Sequence, residues 1–572
     1  MTLALAPDVA RLMRLPPRLM TPERLAAIQP SRVSASRALM SRAVRQRWSI
    51  TCQKFDIDSR GRGFAHYRID IGGWRFSFPV FSFEPSASGR TGRIIGRAWD
   101  MMAALIEGDL SPQDLATTGT ELPKLYEGRA TPGTLIWCRS NRSGRFFNAA
   151  RNALVAGRQP DIATLATTCY LMRNTGLDGN GTFGTKTFLA YEADHPLRWS
   201  LAAQMLCAYM MRVFATDLVQ HLARLDNPSA CELDPAVKRF LGVGNGSALG
   251  LMLFVNNHPR LIDQWISIRE TALAQAKALV PTVDDVERLI VLVTKAIVFR
   301  KEDRAEYEAL ISSAKVATDL QIVRSRLQDL LERIRMGAAL PSQPLADLCD
   351  SLEGGISPEA LETLNSLMIE LVAEVADRLV DTLALDEELT GRPEMPVKRL
   401  LEIVRDEYAW TLQLDLASEP SQRYIWYKSV TAEEPRRGLP SEAPGALNLG
   451  LDLARLVTRL EQDLAAEKPT ASVASFLVKH PWHRSVVTRV QALAGLRYHS
   501  PHADIMSESF VPANITRLLN VGLHGIDKTR DFLNRNLRGV LFHGAPLPEE
   551  LASGTADDHW FYPAEPAVGA QT

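Results

Sequence analysis

Trp48-Ser-Ile50-Thr-Cys52, Phe64-Ala-His66-Tyr67-Arg68-Ile69-Asp70-Ile71 and Trp74-Arg75-Phe76-Ser77-Phe78 alternate aromatic or β-branched residues with polar ones, and glycine-bearing breaks at Arg60-Gly-Arg62-Gly63 and Gly72-Gly73 separate them. Period-two alternation punctuated by turn residues predicts a small antiparallel meander over residues 48–90. After Gly92 the apolar spacing lengthens towards 3.6, with the short run Thr134-Leu-Ile-Trp-Cys-Arg139 as a further candidate strand. The predicted fold class is therefore mainly α: a large multi-helix body with a small antiparallel β meander near the N-terminus.

Leu197–Leu225 is apolar on every side in its middle, which predicts a helix surrounded by other elements. Its most apolar part, Trp199–Ala215, contains Gln204 and Arg212 and falls short of the ~20 residues that span a bilayer. Thr282, followed by Asp284 and Asp285, carries the signature of a helix start. Val316, Leu320, Val323, Leu327, Leu330 and Ile334 form a heptad stripe, and Ser357-Pro358-Glu359 opens a second amphipathic helix. Such a hairpin offers a self-complementary face, so a homodimer is expected. The resulting division is a basic arm at 1–47, the meander at 48–90, a helical core at 91–302, the hairpin at 303–395, a C-terminal helical region at 396–553 and a tail at 554–572.

The chain has 572 residues, with 65 Lys plus Arg against 66 Asp plus Glu. Nucleic acid and anionic membranes reward a basic excess, so neither is an expected partner. Basic residues do dominate the first 47 positions, where Asp8 and Glu23 are the only acids. Prolines 16, 17, 22 and 30 interrupt any long helix there, which favours an arm laid over an acidic body against a targeting segment. Six cysteines without a CxxC pair fit neither a disulfide framework nor a zinc ribbon, and a reducing cytoplasm is the expected compartment.

Common motifs fail on inspection. Gly242-Val-Gly244-Asn-Gly246 follows a segment that reads helical, whereas a dinucleotide fingerprint follows a strand. Asp178-Gly-Asn180-Gly-Thr182 lacks the sixth-position glycine and the twelfth-position glutamate of a calcium loop. His480, His483, His499 and His502 are metal-capable side chains, but their proline-interrupted spacing favours solvated or structural histidines, so neither metal nor organic cofactor is expected.

Chemistry is expected instead around arginines. Arg139 and Arg142 precede a helix at Phe146–Val155 for which Ser140 or Ser143 supplies the cap, a natural anion site. Tyr170 to Thr175, carrying Arg173 and Asn174, reads as the end of an apolar helix entering the glycine-rich run Gly176–Lys186. Between Gly133 and Leu177 the only acid is Asp161, so a bound carboxylate or phosphate is the expected counter-charge. Lys186 and Asn245 join Arg139, Arg142, Arg173 and Asn174 as candidate substrate-binding residues, and Tyr170, His258 and Tyr427 are the candidate proton-transfer groups. The predicted function is a cofactor-independent lyase or hydrolase acting on a small anionic metabolite. The alternative is a non-catalytic scaffold or regulatory protein that holds a partner through the heptad hairpin.

Overall fold

In a computed structural model, the described residues are 6–83, 99–125, 133–179, 191–245 (save 193 and 200), 260–302, 312–383, 391–413, 415, 425–429, 435–437, 447–448, 451–499, 510–512 and 515–567 (save 516, 527, 532–536 and 557–559). The expected meander is present as β1 (Ser49–Ile57), β2 (Gly63–Ile71) and β3 (Trp74–Ser82), paired antiparallel. It is not a small N-terminal appendage, and the mainly-α fold class is overturned. The sheet continues through β4 (Met101–Glu107), β5 (Thr134–Arg142), β6 (Tyr170–Gly179) and β7 (Gly242–Asn245). A separate small sheet joins β8 (Ile425–Ser429) to β9 (Pro435–Arg437), β10 (Leu447–Asn448) and β11 (Phe510–Pro512). The main sheet closes with β12 (Lys528–Asp531) and β13 (Leu537–Leu541), giving nine strands in the order β1-β2-β3-β4-β5-β6-β7-β13-β12. All neighbours are antiparallel except β6 and β7, which run parallel.

The strand β4 escapes a periodicity reading for one physical reason: both of its faces are buried. On β4, Met101, Ala103 and Leu105 enter the main core, while Met102, Ala104 and Ile106 pack with Trp99, Leu122 and Trp137 on the other face. From Met101 to Ile106 no polar residue marks either face, and Met, Ala and Leu all favour helices, so the local signal is helical. Tyr170 to Thr175 is misread in the same way; it belongs to β6 and not to a helix end.

The central helix spans Ala202–Asp226, and every residue from 201 to 216 is buried. It packs against β5, β6 and β7 and, with the Pro235–Phe240 helix, forms the crossover that parallel pairing of β6 and β7 requires. Among the described residues, no helix is long and apolar enough to cross a membrane.

Short helices at Pro7–Ala10, Pro16–Leu19 and Pro22–Ala27 and a longer one at Ala35–Arg45 make up the N-terminal segment. Arg14 reaches Glu270 and Glu362, and Arg32 reaches Glu370 and Asp377. At the other end, Phe561 is buried beneath the Arg37 guanidinium, whose carbon lies 3.2 Å from the ring centroid. The heptad stripe is covered by the same chain: Val316, Leu320, Val323, Leu327 and Leu330 are buried, and their helix (Ser313–Arg335) packs on the helices Val283–Lys301 and Pro358–Met368.

Thr282 caps the Val283–Lys301 helix reciprocally: its hydroxyl accepts from the Asp285 N–H at 3.2 Å, and the Asp285 carboxylate accepts from the Thr282 N–H at 2.8 Å. Thr282→Ala removes one half of this box and is expected to lower stability by about 1 kcal/mol in urea denaturation. An unchanged midpoint would show that the cap is energetically idle.

Candidate active site

The sheet brings together part of the sequence-predicted set. Register places Asn141 opposite Arg173 and Ser140 opposite Asn174 across β5 and β6, then Arg173 opposite Gly244 and Asn174 opposite Asn245 across β6 and β7. The two glycine-rich segments thus start on adjacent parallel strands that leave the sheet at the same end. Gly244 serves packing here: the Tyr170 ring lies 2.9 Å from where its Cβ would stand, so any side chain would displace the ring.

The arginines flank the Trp99-Asp100 dipeptide. The Arg139 guanidinium carbon lies 4.4 Å from the Trp99 ring centroid and 5.2 Å from that of Trp137, within cation–π range. The Arg142 backbone N–H donates to the Asp100 carboxylate at 2.8 Å, and its Nε lies 3.9 Å from the same oxygen. Asp100, remote in sequence, supplies at Arg142 a negative charge that the local sequence lacks. Ser143 occupies the N-cap position of the Gly144–Val155 helix without a side-chain cap bond, and Ser140 lies within β5. Tyr427 sits on β8 in the small sheet, apart from the others in topology. Lys186 and His258 lie outside the described residues, and the Asn245 position is described for its backbone alone.

Of the histidines, His483 Nε2 lies 2.8 Å and His480 Nδ1 3.5 Å from one Asp463 oxygen, while His499 pairs with Glu407 at 2.8 Å. His502 lies outside the described residues. Among the described residues, no group of three or more His, Cys, Asp or Glu is placed to hold a metal ion.

A second constellation, unforeseen in the sequence, forms where the central helix passes beneath β1 and β2. Asp217 on the helix accepts a hydrogen bond from the Tyr67 hydroxyl of β2 at 2.8 Å. Both line a cavity of about 180 Å³ with Cys52 of β1, Thr216, Lys238 of the Pro235–Phe240 helix and Glu549 of the Pro548–Ser553 helix. Arg212 holds its walls in place: Nε donates to the Leu241 carbonyl at 2.7 Å, Nη1 to that of Pro546 at 3.0 Å, and Nη2 to that of Ala545 at 2.7 Å. Pre-positioned walls of this kind allow a side chain to act without reorganising.

The electrostatics follow from burial. Loss of water pushes the Asp217 carboxyl up to about 6, against the opposing pull of the Tyr67 hydrogen bond and the Lys238 charge. Burial and the nearby Asp217 charge raise the Tyr67 phenol well above its ordinary value, which leaves it a donor at neutral pH. The same two causes push the Cys52 thiol up to about 11, so it is not a thiolate nucleophile. What remains is a carboxylate that exchanges a proton near neutrality beside a lysine. One signal was available: between Leu197 and Leu225, Asp217 is the only carboxylate.

No family model, no curated protein and no solved structure matches this chain.

Proposed function

We propose that the chain is an enzyme that moves a proton on a small anionic metabolite, of the lyase or hydrolase type, with the Tyr67–Asp217 cavity as its active site and no organic cofactor. The observation that carries this reading is the hydrogen-bonded Tyr67–Asp217 pair lining a cavity that also contains Lys238. Asp217 is the general base. Its midpoint lies close enough to neutrality that it is largely ionised at pH 7 and still basic enough to take a proton. In a lyase that proton comes from carbon, and the bond's electron pair forms the double bond as the leaving group departs; in a hydrolase it comes from the attacking water. Lys238 supplies a charge for the substrate's carboxylate or phosphate, and Tyr67 positions the base. The size of the cavity restricts the substrate to a small molecule. The scaffold reading is less well supported, since the stripe it needs is buried against neighbouring helices of the same chain.

The test is a thermal-shift screen of small carboxylates and phosphates. A true ligand at a hundred times its Kd stabilises by about 2.7 kcal/mol. That stabilisation is expected in the wild type and absent from Lys238→Met, whose side chain keeps most of the aliphatic volume. No stabilising compound, or equal stabilisation of the variant, overturns the proposal.

A further inference from the structure

Residues 391–494 contain a hydrophobic core of their own, in which Val397, Leu400, Val404, Leu460, Phe476 and Val487 are buried. On its surface lies an open groove of about 790 Å³ between residues 391–393, the Val473–Lys479 helix, the turn at Pro481–His483 and the Arg484–Leu493 helix. Two features set it apart. Trp482 in its wall is 47 % exposed, and Val478 on the adjoining helix is 84 % exposed, an unusual pairing for large apolar side chains only four residues apart. Arg392, Arg484 and Arg489 line the groove, and among the described residues that line it none carries a carboxylate, although the chain as a whole is slightly acidic.

The groove is also preformed. Gln491, buried in its floor, accepts from the Arg392 N–H at 2.8 Å and donates to the Arg392 carbonyl at 2.9 Å. The Ala474 N–H donates to the Pro393 carbonyl at 2.9 Å, tying the opposite wall to the same strand of chain. A groove already held open spares a partner the cost of ordering it. Arg459, itself 3.8 Å from Asp463, sits 5.0 Å from the Trp482 ring centroid and braces the indole from behind.

We infer that this groove docks an acidic amphipathic segment of another protein, its apolar side chains lying against Trp482 and Leu477 and its carboxylates facing Arg392 and Arg484. Charge complementarity requires an acidic partner. The aliphatic walls Val473, Leu477, Pro393 and Pro481 select apolar side chains, whereas single-stranded nucleic acid is held by a row of stacking aromatics along a continuous basic track. Exposed Trp and Arg are the residue types that carry binding energy at interfaces of this kind. This inference is independent of the proposed activity.

The test uses the full chain and fluorescence anisotropy with three labelled probes: a short helical peptide with leucine and phenylalanine on one face and glutamate on the other, its counterpart with lysine in place of glutamate, and an oligothymidylate. Saturable binding of the acidic peptide alone is expected, weakened about tenfold or more by Trp482→Ala and by Arg484→Glu, and weakened by added salt. Both positions are exposed, so neither substitution disturbs the core, and an unchanged circular dichroism spectrum checks this. No binding of the acidic peptide, equal binding by either variant, equal binding of the lysine peptide, or stronger binding of the oligothymidylate overturns the inference.

Discussion

Asp217→Asn is expected to reduce turnover of the small anion identified by screening by roughly 10²–10⁴-fold, the usual contribution of a positioned general base. The same substitution is expected to leave stability at pH 7 unchanged or raised, and the sign follows from linkage. Burial holds the native carboxyl near 6, above its ordinary 3.8, so the folded state binds the proton more tightly than the unfolded chain does. Ionising Asp217 therefore costs stability, which falls as pH rises from about 4 to about 6 and then stays level. An amide carries no such cost.

Lost activity with retained stability separates a functional carboxylate from a structural one. In the wild type, kcat/KM is expected to rise with pH through about 6. Tyr67→Phe removes a hydrogen bond that favours the carboxylate and is expected to move that midpoint upward. Wild-type turnover by the Asp217→Asn variant, or a flat profile between about pH 5 and 7, excludes Asp217 as the base.

Arg14→Met is expected to destabilise the fold by about 3–5 kcal/mol, the cost of leaving a buried charge without its partner. Arg14 donates to Glu270 at 2.8 and 2.7 Å and also binds Glu362, while Arg269 bridges Glu270 at 3.0 Å and Glu362 at 2.8 Å. All four residues are buried. Removing one cation leaves the two carboxylates with Arg269, and with Arg24 at 3.8 Å from Glu362 alone. Burial alone would raise the Glu362 carboxyl, but Arg14 and Arg269 outweigh it and hold it down at about 2. That contribution to stability is present above the ordinary value of 4.5 and is lost as pH falls through about 2, so the deficit of the variant narrows on acidification.

Urea denaturation at neutral and acid pH reads both effects. Arg14→Met combined with Glu362→Gln is expected to cost less than the sum of the single changes, because the two groups interact directly. A loss below about 1 kcal/mol at neutral pH would place Arg14 among the ordinary surface ion pairs.

Local sequence determined the elements whose pattern is created by a single environment. Phe64 to Ile71 alternates because β2 buries one face in the core and leaves the other half-exposed, the central helix is apolar in its middle because protein surrounds it, and Thr282 caps because its partner Asp285 is three residues away. Tertiary structure alone decided the rest. The strands β4 and β6 lose their alternation because protein covers both faces of the sheet there, so their residues read as helix until a neighbour supplies the ladder, whereas the β-branched and aromatic run Thr134–Arg139 of β5 was legible as a strand. The charge partners are equally non-local: Asp100 stands beside Arg142, Asp217 meets Tyr67 across 150 positions, and Arg14 meets Glu362 across 348. A short-range pattern records which face of a segment is buried; which distant carboxylate is buried with it depends on where the chain returns, and that is set only when the sheet curls around the central helix.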